Sequence, residues 1–384
     1  EGLEDLSITR TTFDWGLPFQ RDPDHVLYVW VDALTNYISA IDAFGDSGQF
    51  ENFWPADMHM IGKDILRFHA VYWPAFLMSA GLEPPKQVFA HGWWMVEGEK
   101  MSKSKGNFID AFELAENYDL DLLRYYLSRE VPFGNDGNFA KDRIVERNNA
   151  ELADNLGNLV NRVLGMVDGF TDGEVPTEGR DTGVKTDQQI RQLARRTKEK
   201  VLEQMNDREP HRAIESIMEF SGTLNQYIQE TKPWEQNKHD KTERVHQILY
   251  TALEGIRWTA ALAYPFIPDA SAKILESLGE TDEGRYSFER LSKWQQLEPG
   301  YELGDPGVLF EKLEKDELPT LIGGEDDEQS DDSESEESSN IEYVSFGDFQ
   351  DMDIRVGLIE DAQPVEDADK LFKLSVDLGE QNPR

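Results

Sequence analysis

The sequence predicts an α/β domain built on a parallel sheet, followed by a bundle of antiparallel helices. Up to about residue 141, apolar runs typical of buried strands alternate with helical patterns. This alternation is typical of parallel sheets covered by helices. From about residue 142 the pattern is helical only, with short connections that favour antiparallel neighbours.

Three candidate strands lie in the α/β part, and we predict them over residues 26–31, 58–61 and 88–96. Each is a short apolar run of the kind found in buried parallel strands. A helix is predicted from about residue 33 to residue 44, after the first strand. The second strand ends at a Gly-Lys turn, and a further helical pattern follows that turn. Because Pro74 lies inside this pattern, a kink is expected there.

The second part of the chain contains five predicted helices, over residues 142–169, 186–207, 210–231, 242–263 and 267–278. The breaks between them are marked by Pro176, Pro210, Pro233 and Pro268. Residues 325–339 form a low-complexity acidic tract, for which like charges and the lack of apolar residues predict an extended linker. Beyond it, residues 353–360 and 371–378 alternate like strands.

The composition indicates a globular protein. Of its 384 residues, 39% are hydrophobic and nine are tryptophans, which is enough to build a core. No apolar run approaches the ~18 residues of a membrane span, and no secretory signal opens the sequence. We therefore predict a cytoplasmic protein without membrane contact. Because cysteine is absent, disulfides and thiolate zinc sites are excluded within these residues.

The charge of the chain is strongly acidic: 76 acidic and 38 basic side chains give a formal charge of −38. Acidic residues occupy surface helix positions such as Glu113, Glu116, Asp119 and Asp121. This pattern resembles proteins of salt-accumulating halophiles, in which charge keeps the chain soluble and salt screens its self-repulsion. An acidic protein from a non-halophilic organism is the alternative. We favour a halophilic source, and specifically a haloarchaeon.

The most informative stretch is a loop between the third strand and a helix that opens at Asp110. It reads Lys100-Met101-Ser102-Lys103-Ser104-Lys105-Gly106-Asn107. Phosphate groups bind mobile ammonium groups, hydroxyl donors and the free N–H groups of a helix start. The loop therefore predicts a phosphate-binding site, with a solvated turn as the alternative.

Polar residues follow each of the three strands, at the edge where open parallel sheets bind their ligands. They are Asp32, the run Gly62-Lys63-Asp64, and the lysine loop. A carboxylate suits the ammonium group of an amino acid, and lysines suit the phosphates of ATP. Their convergence from separate segments suggests one site, and adenylation of an amino acid would use both kinds of group.

The five residues from Lys100 to Ser104 match the KMSKS signature of class I aminoacyl-tRNA synthetases at every position. Other segments resemble methionyl-tRNA synthetases, namely residues 28–33 with Tyr37, 61–65 with Phe68-His69 and Trp73-Pro74-Ala75, 89–92, 158–162, and Pro233-Trp234. The resemblance covers nearly the whole chain. It implies the second half of a Rossmann-type class I catalytic domain, a helical anticodon-binding bundle and the start of an OB-fold.

The resemblance implies roles for individual residues. A methionine pocket would be lined by Trp30, Ala33, Tyr37, Asp64, Ile65, His69 and Tyr72. ATP would be bound by Gly62, His91, Gly92, Lys100, Met101, Ser102, Lys103 and Ser104, and the catalytic residues would be Lys100, Lys103 and Asp64. Anticodon bases would be bound by Asn158, Arg162, Pro233 and Trp234.

Each of these roles has a structural alternative. The aromatic residues could be ordinary core side chains, His69 a buried histidine with satisfied hydrogen bonds, and Asp64 or Asp32 a helix cap. Asn158 and Arg162, four residues apart, share a helix face. That spacing suits a paired contact with a base, and it also suits an ordinary surface pair.

The implied activity is activation of methionine by ATP, with release of pyrophosphate, followed by transfer to the 3′ end of methionine tRNA. Lys100 and Lys103 would neutralise the developing pyrophosphate charge, helped by Mg²⁺. The alternatives are a non-catalytic tRNA-binding accessory module and another class I synthetase. The lack of an editing insertion between Gly62 and Lys100 argues against the leucine, isoleucine and valine enzymes, as does the Pro233-Trp234 pair.

Two features of the family are absent from this sequence. No HIGH-type histidine motif precedes the lysine loop, and the sequence does not begin with methionine. We expect the first half of the catalytic domain and a zinc-bearing insertion to precede Glu1, so zinc is expected only there. The missing half is therefore a predicted partner, and this chain alone is predicted to be inactive.

The predicted domains are residues 1–141 for the catalytic half, 142–300 for the anticodon-binding bundle, 301–340 for the linker, and 341–384 for a truncated OB-fold. An OB-fold needs about five strands, and only two are predicted before the sequence stops. A complete OB-fold domain would allow a homodimer.

Overall fold

The computed structural model describes residues 6–13, 15–96, 98–101, 109, 111–177, 183–315, 358–364 and 372–377. The chain forms two compact units, Glu1–Glu325 and Asp326–Arg384. Across the described parts, no helix combines the length and the apolarity that crossing a membrane requires.

The first unit begins with a small antiparallel sheet in the order β1-β3-β2. Its strands are β1 (Thr9–Arg10), β2 (Pro18–Phe19) and β3 (Asp22–Leu27), and helix α1 (Val29–Ser39) follows directly. The predicted strand over residues 26–31 is therefore wrong beyond Leu27, and it does not join a parallel sheet. The reason is that Leu34 and Ile38 continue the apolar run at helical spacing and are buried, whereas Val29 is 63% exposed.

A parallel strand pair carries the next part of the fold. Strand β4 (His59–Gly62) pairs with β5 (Val88–His91), in a register that places Gly62 beside His91. A short helix, α2 (Gln49–Phe53), precedes β4. The predicted second strand is confirmed with a shift of one residue.

The connection from β4 to β5 is helical but irregular. A 3-10 turn covers Lys63–Ile65, a π-helical turn covers Phe68–Tyr72, and α3 runs over Trp73–Ser79. Pro74 lies in the first turn of α3. Since proline lacks an N–H group, it fits this position, where that group has no partner within the helix. The predicted irregularity thus precedes Pro74 instead of interrupting a regular helix.

The predicted third strand, over residues 88–96, is divided between two sheets. After β5, strand β6 (Trp94–Val96) pairs antiparallel with β7 (Glu99–Lys100) and parallel with β8 (Gly137–Asn138). Gly92 lies at the division, and a Cβ atom there would lie 2.2 Å from the carbonyl oxygen of Asn135. Only glycine therefore fits this close approach of two backbone segments.

Apart from β8, the described residues from 111 to 277 are mainly helical, as predicted from about residue 142. The helices are α4 (Ala111–Asn117), α5 (Leu120–Arg129), α6 (Lys141–Arg147), α7 (Asn158–Thr171), α8 (Lys185–Asn206), α9 (Pro210–Thr231), α10 (Pro233–Lys238), α11 (Thr242–Ala263) and α12 (Pro268–Ser277). A π-helical segment, Asn148–Gly157, joins α6 to α7. Pro210, Pro233 and Pro268 each begin a helix, and Pro176 lies between α7 and α8.

The core of this helical region is centred on α11, whose residues from Ile248 to Ala263 are all buried. The charged pair Glu254 and Arg257 is buried within it, at an oxygen–nitrogen distance of 2.9 Å. The Glu254 carboxylate also accepts the N–H groups of Gln296 and Leu297. The charge of Glu254 is thus compensated by the Arg257 guanidinium and two backbone N–H groups, and a buried charge needs such partners.

A second ionic network joins α5 to α6 and to the π-helical segment. Glu130 accepts hydrogen bonds from Arg143 and Arg147, and Glu151 accepts from Arg129 and Arg147. Burial disfavours the charged form of Glu130, but the hydrogen bonds from the two arginines outweigh this effect and lower its pKa. The network therefore holds the end of the sheet region against the start of the bundle.

The second unit is described over one antiparallel strand pair, β9 (Leu358–Pro364) with β10 (Phe372–Asp377). The predicted strand over residues 371–378 is confirmed as β10, and β9 overlaps the strand predicted over 353–360 at residues 358–360. The OB-fold and the linker over 325–339 remain predictions, since the remaining residues of this part lie outside the described ones.

Candidate functional site

An aromatic cluster forms where α1 meets the irregular helix after β4. Trp30 and Tyr37, two turns apart on α1, both face His69 of the π-helical turn. The Trp30 ring stacks on Phe68 with ring centres 3.9 Å apart, and Phe68 contacts Tyr72 at 5.6 Å. The predicted pocket residues Trp30, Tyr37, His69 and Tyr72 are thus brought together.

Hydrogen bonds fix the orientation of His69 in this cluster. Its Nδ1 lies 3.0 Å from the carbonyl oxygen of Ile65, which can only accept, so Nδ1 carries a proton. In the neutral ring, Nε2 is then an acceptor, and the Tyr37 hydroxyl donates to it over 2.9 Å. His69 is 2% exposed. His69 is therefore a buried histidine whose two ring nitrogens both form hydrogen bonds, and it positions the hydroxyl of Tyr37. The Tyr37 side chain is partly exposed.

The same cluster contains His59, which the sequence did not single out. Its ring centre lies 4.2 Å from that of Tyr37 and 6.2 Å from that of His69. Burial, and to a smaller extent the nearby His69, lower the pKa of His59. Burial also raises the pKa of the Tyr37 hydroxyl. Both groups are therefore uncharged near neutral pH, and the cluster offers an apolar wall with one oriented hydroxyl.

The remaining predicted pocket residues lie at the edge of this wall. Ala33 is exposed and shares a face of α1 with Trp30 and Tyr37, three and four residues away. Asp64 is exposed in the 3-10 turn that follows β4, and its Oδ1 lies so close to Gly62 that a Cβ there would be 2.7 Å away. No side-chain cap hydrogen bond forms at this turn or at the start of α1. The helix-cap alternatives for Asp64 and Asp32 are therefore wrong.

A cavity of about 520 Å³ lies beside β4, the end of β5 and the start of β6. Its lining includes Met60, His91, Gly92, Met101 and Phe133. His91 hydrogen-bonds to the carbonyl oxygen of Gly92 through Nδ1 and stacks parallel to Phe133, with ring centres 6.1 Å apart. Three of the predicted ATP-binding residues therefore line one cavity.

The lysine loop begins at the mouth of this cavity. Lys100 ends strand β7, and Met101 lines the cavity. Ser102, Lys103 and Ser104 lie outside the described residues.

Lys63 belongs to an ion pair that the sequence did not predict. Its Nζ lies 2.5 Å from a carboxylate oxygen of Asp136 and 4.1 Å from the centre of the Trp93 ring. Asp136 also accepts the N–H group of Trp93. The hydrogen bond from Lys63, followed by that from Trp93, lowers the pKa of Asp136. The pair fixes the loop over residues 131–137, which forms part of the cavity wall.

The four predicted anticodon residues lie in the helical bundle. Asn158 is exposed at the start of α7, and Arg162 reaches Gln229 of α9, with a nitrogen–oxygen distance of 3.5 Å. Pro233 is buried as the first residue of α10, and Trp234 is half-buried against the bundle core. Part of the indole is therefore accessible for stacking, but its accessible area is smaller than that of a fully exposed tryptophan.

Two family models match the chain. Residues 1–164 match class I tRNA synthetases (M), and residues 175–321 match the anticodon-binding domain of methionyl tRNA ligase. Among solved structures, a Mycobacterium tuberculosis methionyl-tRNA synthetase in complex with methionyl-adenylate superimposes with a TM-score of 0.74 at 45% identity. That match covers 80% of this chain and 60% of the other.

Curated relatives match over nearly the whole chain. A methionine–tRNA ligase of Halalkalibacterium halodurans is 42% identical over 384 residues, and one of Bacillus subtilis is 40% identical over 389. Each match covers 98% of this chain and 58% of the relative, so the chain spans somewhat more than half the length of these proteins. Both organisms are bacteria, which gives the predicted haloarchaeal source no support.

The matched segments agree with the architecture: parallel strands and the aromatic cluster in the first segment, and the helical bundle in the second. The fold is a class I synthetase catalytic fold joined to an anticodon-binding domain. The chain belongs to the class I methionyl-tRNA synthetase family.

Proposed function

We propose that this chain takes part in activating methionine with ATP and in transferring it to methionine tRNA. The observation that carries the proposal is that β4 contributes Met60 to the 520 Å³ cavity and ends at Gly62, directly before the helical turns that bring His69 and Tyr72 into the aromatic cluster. Gly62 and His91 are register partners there, and Asp64 follows two residues after Gly62. An amino acid and a nucleotide bound at these places would have their reacting groups close together.

The aromatic cluster suits a methionine side chain. A thioether gains about 0.3–1.5 kcal/mol from contact with an aromatic ring, and Trp30, Tyr37 and Tyr72 offer such rings. Ala33 and Ile65 complete an apolar lining in the proposal. The exposed carboxylate of Asp64 suits the ammonium group of the amino acid, because opposite charges a few ångströms apart attract each other.

The cavity and the lysine loop suit ATP. In the proposal, Gly62, His91 and Gly92 contact the nucleotide, while the loop from Lys100 to Ser104 contacts its phosphates. The methionine carboxylate attacks the α-phosphorus, a carboxyl oxygen–phosphorus bond forms, and the bond to the β-phosphate oxygen breaks. Pyrophosphate leaves with the electron pair, and Lys100 and Lys103 neutralise its charge. No protein nucleophile is required, so catalysis is positioning and charge stabilisation.

Magnesium fits this chemistry as a companion of ATP. Among the described residues, no group of three or more His, Cys, Asp or Glu side chains could hold a metal ion. Mg²⁺ commonly keeps several waters and binds through substrate phosphates instead of an all-protein cage. The phosphate-binding loop is therefore compatible with an ion that arrives on ATP.

In the second step, a terminal ribose hydroxyl of the tRNA attacks the carbonyl carbon, and AMP leaves with the bonding electrons. We propose that the helical bundle selects the tRNA, with Asn158, Arg162, Pro233 and Trp234 at the anticodon. The hydrogen bond from Arg162 to Gln229 supports this, because Gln229 lies four residues before Pro233 and so brings the two predicted groups to one end of the bundle.

We further propose the domain boundaries of the sequence prediction: residues 1–141, 142–300, 301–340 and 341–384. A cytoplasmic location, a homodimer formed through a complete OB-fold domain, and cooperation with the amino-terminal half of a synthetase belong to the same proposal. Methionine-dependent exchange of pyrophosphate into ATP tests the activity.

Salt adaptation is proposed from the formal charge of −38. The screening length is about 10 Å at 0.1 M salt and about 3 Å at 1 M, so repulsion between carboxylates weakens as salt rises. We expect a higher melting temperature in ~2 M KCl than in ~0.1 M KCl. Thermal melts across that range measure it, and a midpoint that stays flat or falls with salt would contradict salt adaptation.

A further inference from the structure

Helix α8 carries positive charge in a strongly negative protein. Its 22 residues include six basic and three acidic side chains, whereas the whole chain has twice as many acidic as basic ones. Between Arg191 and Lys200, five basic residues accompany a single acid, Glu199. The side of the helix that carries Ile190, Ala194 and Val201 is buried, so this charge lies on the remaining surface.

Three arginines of this helix, Arg191, Arg195 and Arg196, have no hydrogen bond or ion pair with any described residue. Eight other arginines of the first unit form ion pairs with described carboxylates, namely Arg129, Arg143, Arg147, Arg212, Arg244, Arg257, Arg285 and Arg290. Arg195 and Arg196 are exposed, and Arg191 is half-buried. We call these three residues the α8 arginine face.

The α8 arginine face carries a cost for the helix. Arg191 and Arg195 are four residues apart, as are Arg196 and Lys200, and like charges at this spacing destabilise a helix slightly. Uncharged residues at these positions would remove the like-charge repulsion. With arginines in place, a negatively charged partner would offset the repulsion instead.

The face begins near the proposed anticodon end of the bundle. Asp187, in the first turn of α8, accepts hydrogen bonds from the Tyr227 hydroxyl of α9 and from Arg244 of α11. Tyr227 lies six residues before Pro233, so the start of α8 and the start of α10 lie at the same end. From Arg191 to Arg196 the helix then leads away from that end by about 8 Å, at 1.5 Å per residue.

A groove between α8 and α9 adjoins the face. Its volume is about 460 Å³, and Arg196, Lys200, Ser216, Thr223 and Gln226 are among its lining residues. Lys200 is paired loosely with Glu219, at 3.6 Å between two exposed groups. Hydroxyl and amide groups beside unpaired guanidinium groups suit phosphates and ribose hydroxyls.

We propose that the α8 arginine face binds the phosphodiester backbone of tRNA next to the anticodon. The inference rests on the proposed function, since it takes tRNA as the ligand of the bundle. It explains how a protein of formal charge −38 approaches a polyanion: the attraction is local, on one helix next to the base-reading residues. Backbone contacts position RNA without reading its sequence.

The test is the binding of this chain to methionine tRNA and to a non-cognate tRNA, titrated over the KCl range in which the chain is folded. For the double variant Arg195→Gln, Arg196→Gln, we expect the slope of log K against log salt to fall by about 1.5–2, one counterion contact per lost charge. The dissociation constant at low salt should rise roughly 2- to 30-fold for both tRNAs, the range for two exposed charge contacts.

Two controls accompany the double variant. Arg195→Lys, Arg196→Lys keeps the charge and should retain most of the slope. Arg21→Gln removes one exposed arginine that lies outside α8 and should leave the slope unchanged. Because the double variant also removes like-charge repulsion, its melting temperature should not fall.

An unchanged slope in the double variant would overturn the inference, as would an equal loss in Arg21→Gln. A loss confined to methionine tRNA would overturn it too, since it would indicate base reading. The two proposals fail separately. If the chain does not distinguish the two tRNAs but the slope still falls, the anticodon proposal fails and the backbone contact stands.

Discussion

Replacing Lys103 by alanine is expected to slow methionyl-adenylate formation by about 10²–10³-fold, the effect of losing one preorganised transition-state donor. Lys103 lies outside the described residues, but Met101 lines the 520 Å³ cavity. Lys103 follows Met101 by two positions in the KMSKS signature. Methionine affinity should barely change, because the ammonium group contacts phosphate and not the methionine side chain.

The measurement is single-turnover adenylate formation, in a version of the protein extended to the length of its relatives. Lys86→Ala is the matched control: it also removes one exposed lysine, whose partner Asp57 lies away from the cavity. The control should react at the unsubstituted rate. A Lys103→Ala variant that forms adenylate normally but binds tRNA weakly would make the loop an RNA contact and favour the accessory-module alternative.

Replacing Trp234 by alanine is expected to weaken charging of methionine tRNA by about 10- to 100-fold and to leave adenylate formation intact, since one stacked base is worth about 1–3 kcal/mol. The separation follows from the fold, because Trp234 lies on α10 of the bundle and the aromatic cluster lies between α1 and the π-helical turn. Charging at subsaturating tRNA, together with pyrophosphate exchange, measures both effects.

Because Trp234 is half-buried against the bundle core, replacing it by alanine also removes packing contacts and lowers the stability of the bundle. Phe170→Ala is a suitable control, since Phe170 is another half-buried aromatic residue packed on the same core, at the far end of α7 from Asn158. Both variants should lose similar stability in thermal melts, but only Trp234→Ala should lose tRNA charging selectively. Equal charging defects in the two variants would mean that Trp234 acts through the core.

Three helices of the bundle, α8, α9 and α11, were predictable from the sequence because each is 22 residues long. Over about 20 residues, as in α8, α9 and α11, the helical period of the apolar residues is unambiguous, and a proline marks the start of α9. The strand predicted over residues 26–31 is wrong beyond Leu27 because a run of six apolar residues fits a strand and a buried helix turn equally well. Only the packing of Leu34 and Ile38 decided the outcome.

The candidate site also contains residues that the sequence could predict and a contact that it could not. His91, Gly92 and Met101 were predictable because each lies within a recognisable local segment, and the cavity brings them together. The contact between Lys63 and Asp136 was not predictable, because the two residues are 73 positions apart in the sequence. The segment that contains Asp136 shows the proline, glycine and asparagine of a loop, but no local pattern indicates which lysine it meets.

The most direct test of the central claim, that these residues build a methionine-activating site, is amino-acid-dependent exchange of pyrophosphate into ATP by the version extended to the length of its relatives. Methionine should support exchange, and ethionine, longer by one methylene, should support it about 10- to 200-fold less efficiently, the discrimination an apolar pocket achieves. Leucine and isoleucine, which lack the thioether, should be weaker still. Exchange that is equal with leucine and methionine, or that does not depend on any amino acid, would contradict the account.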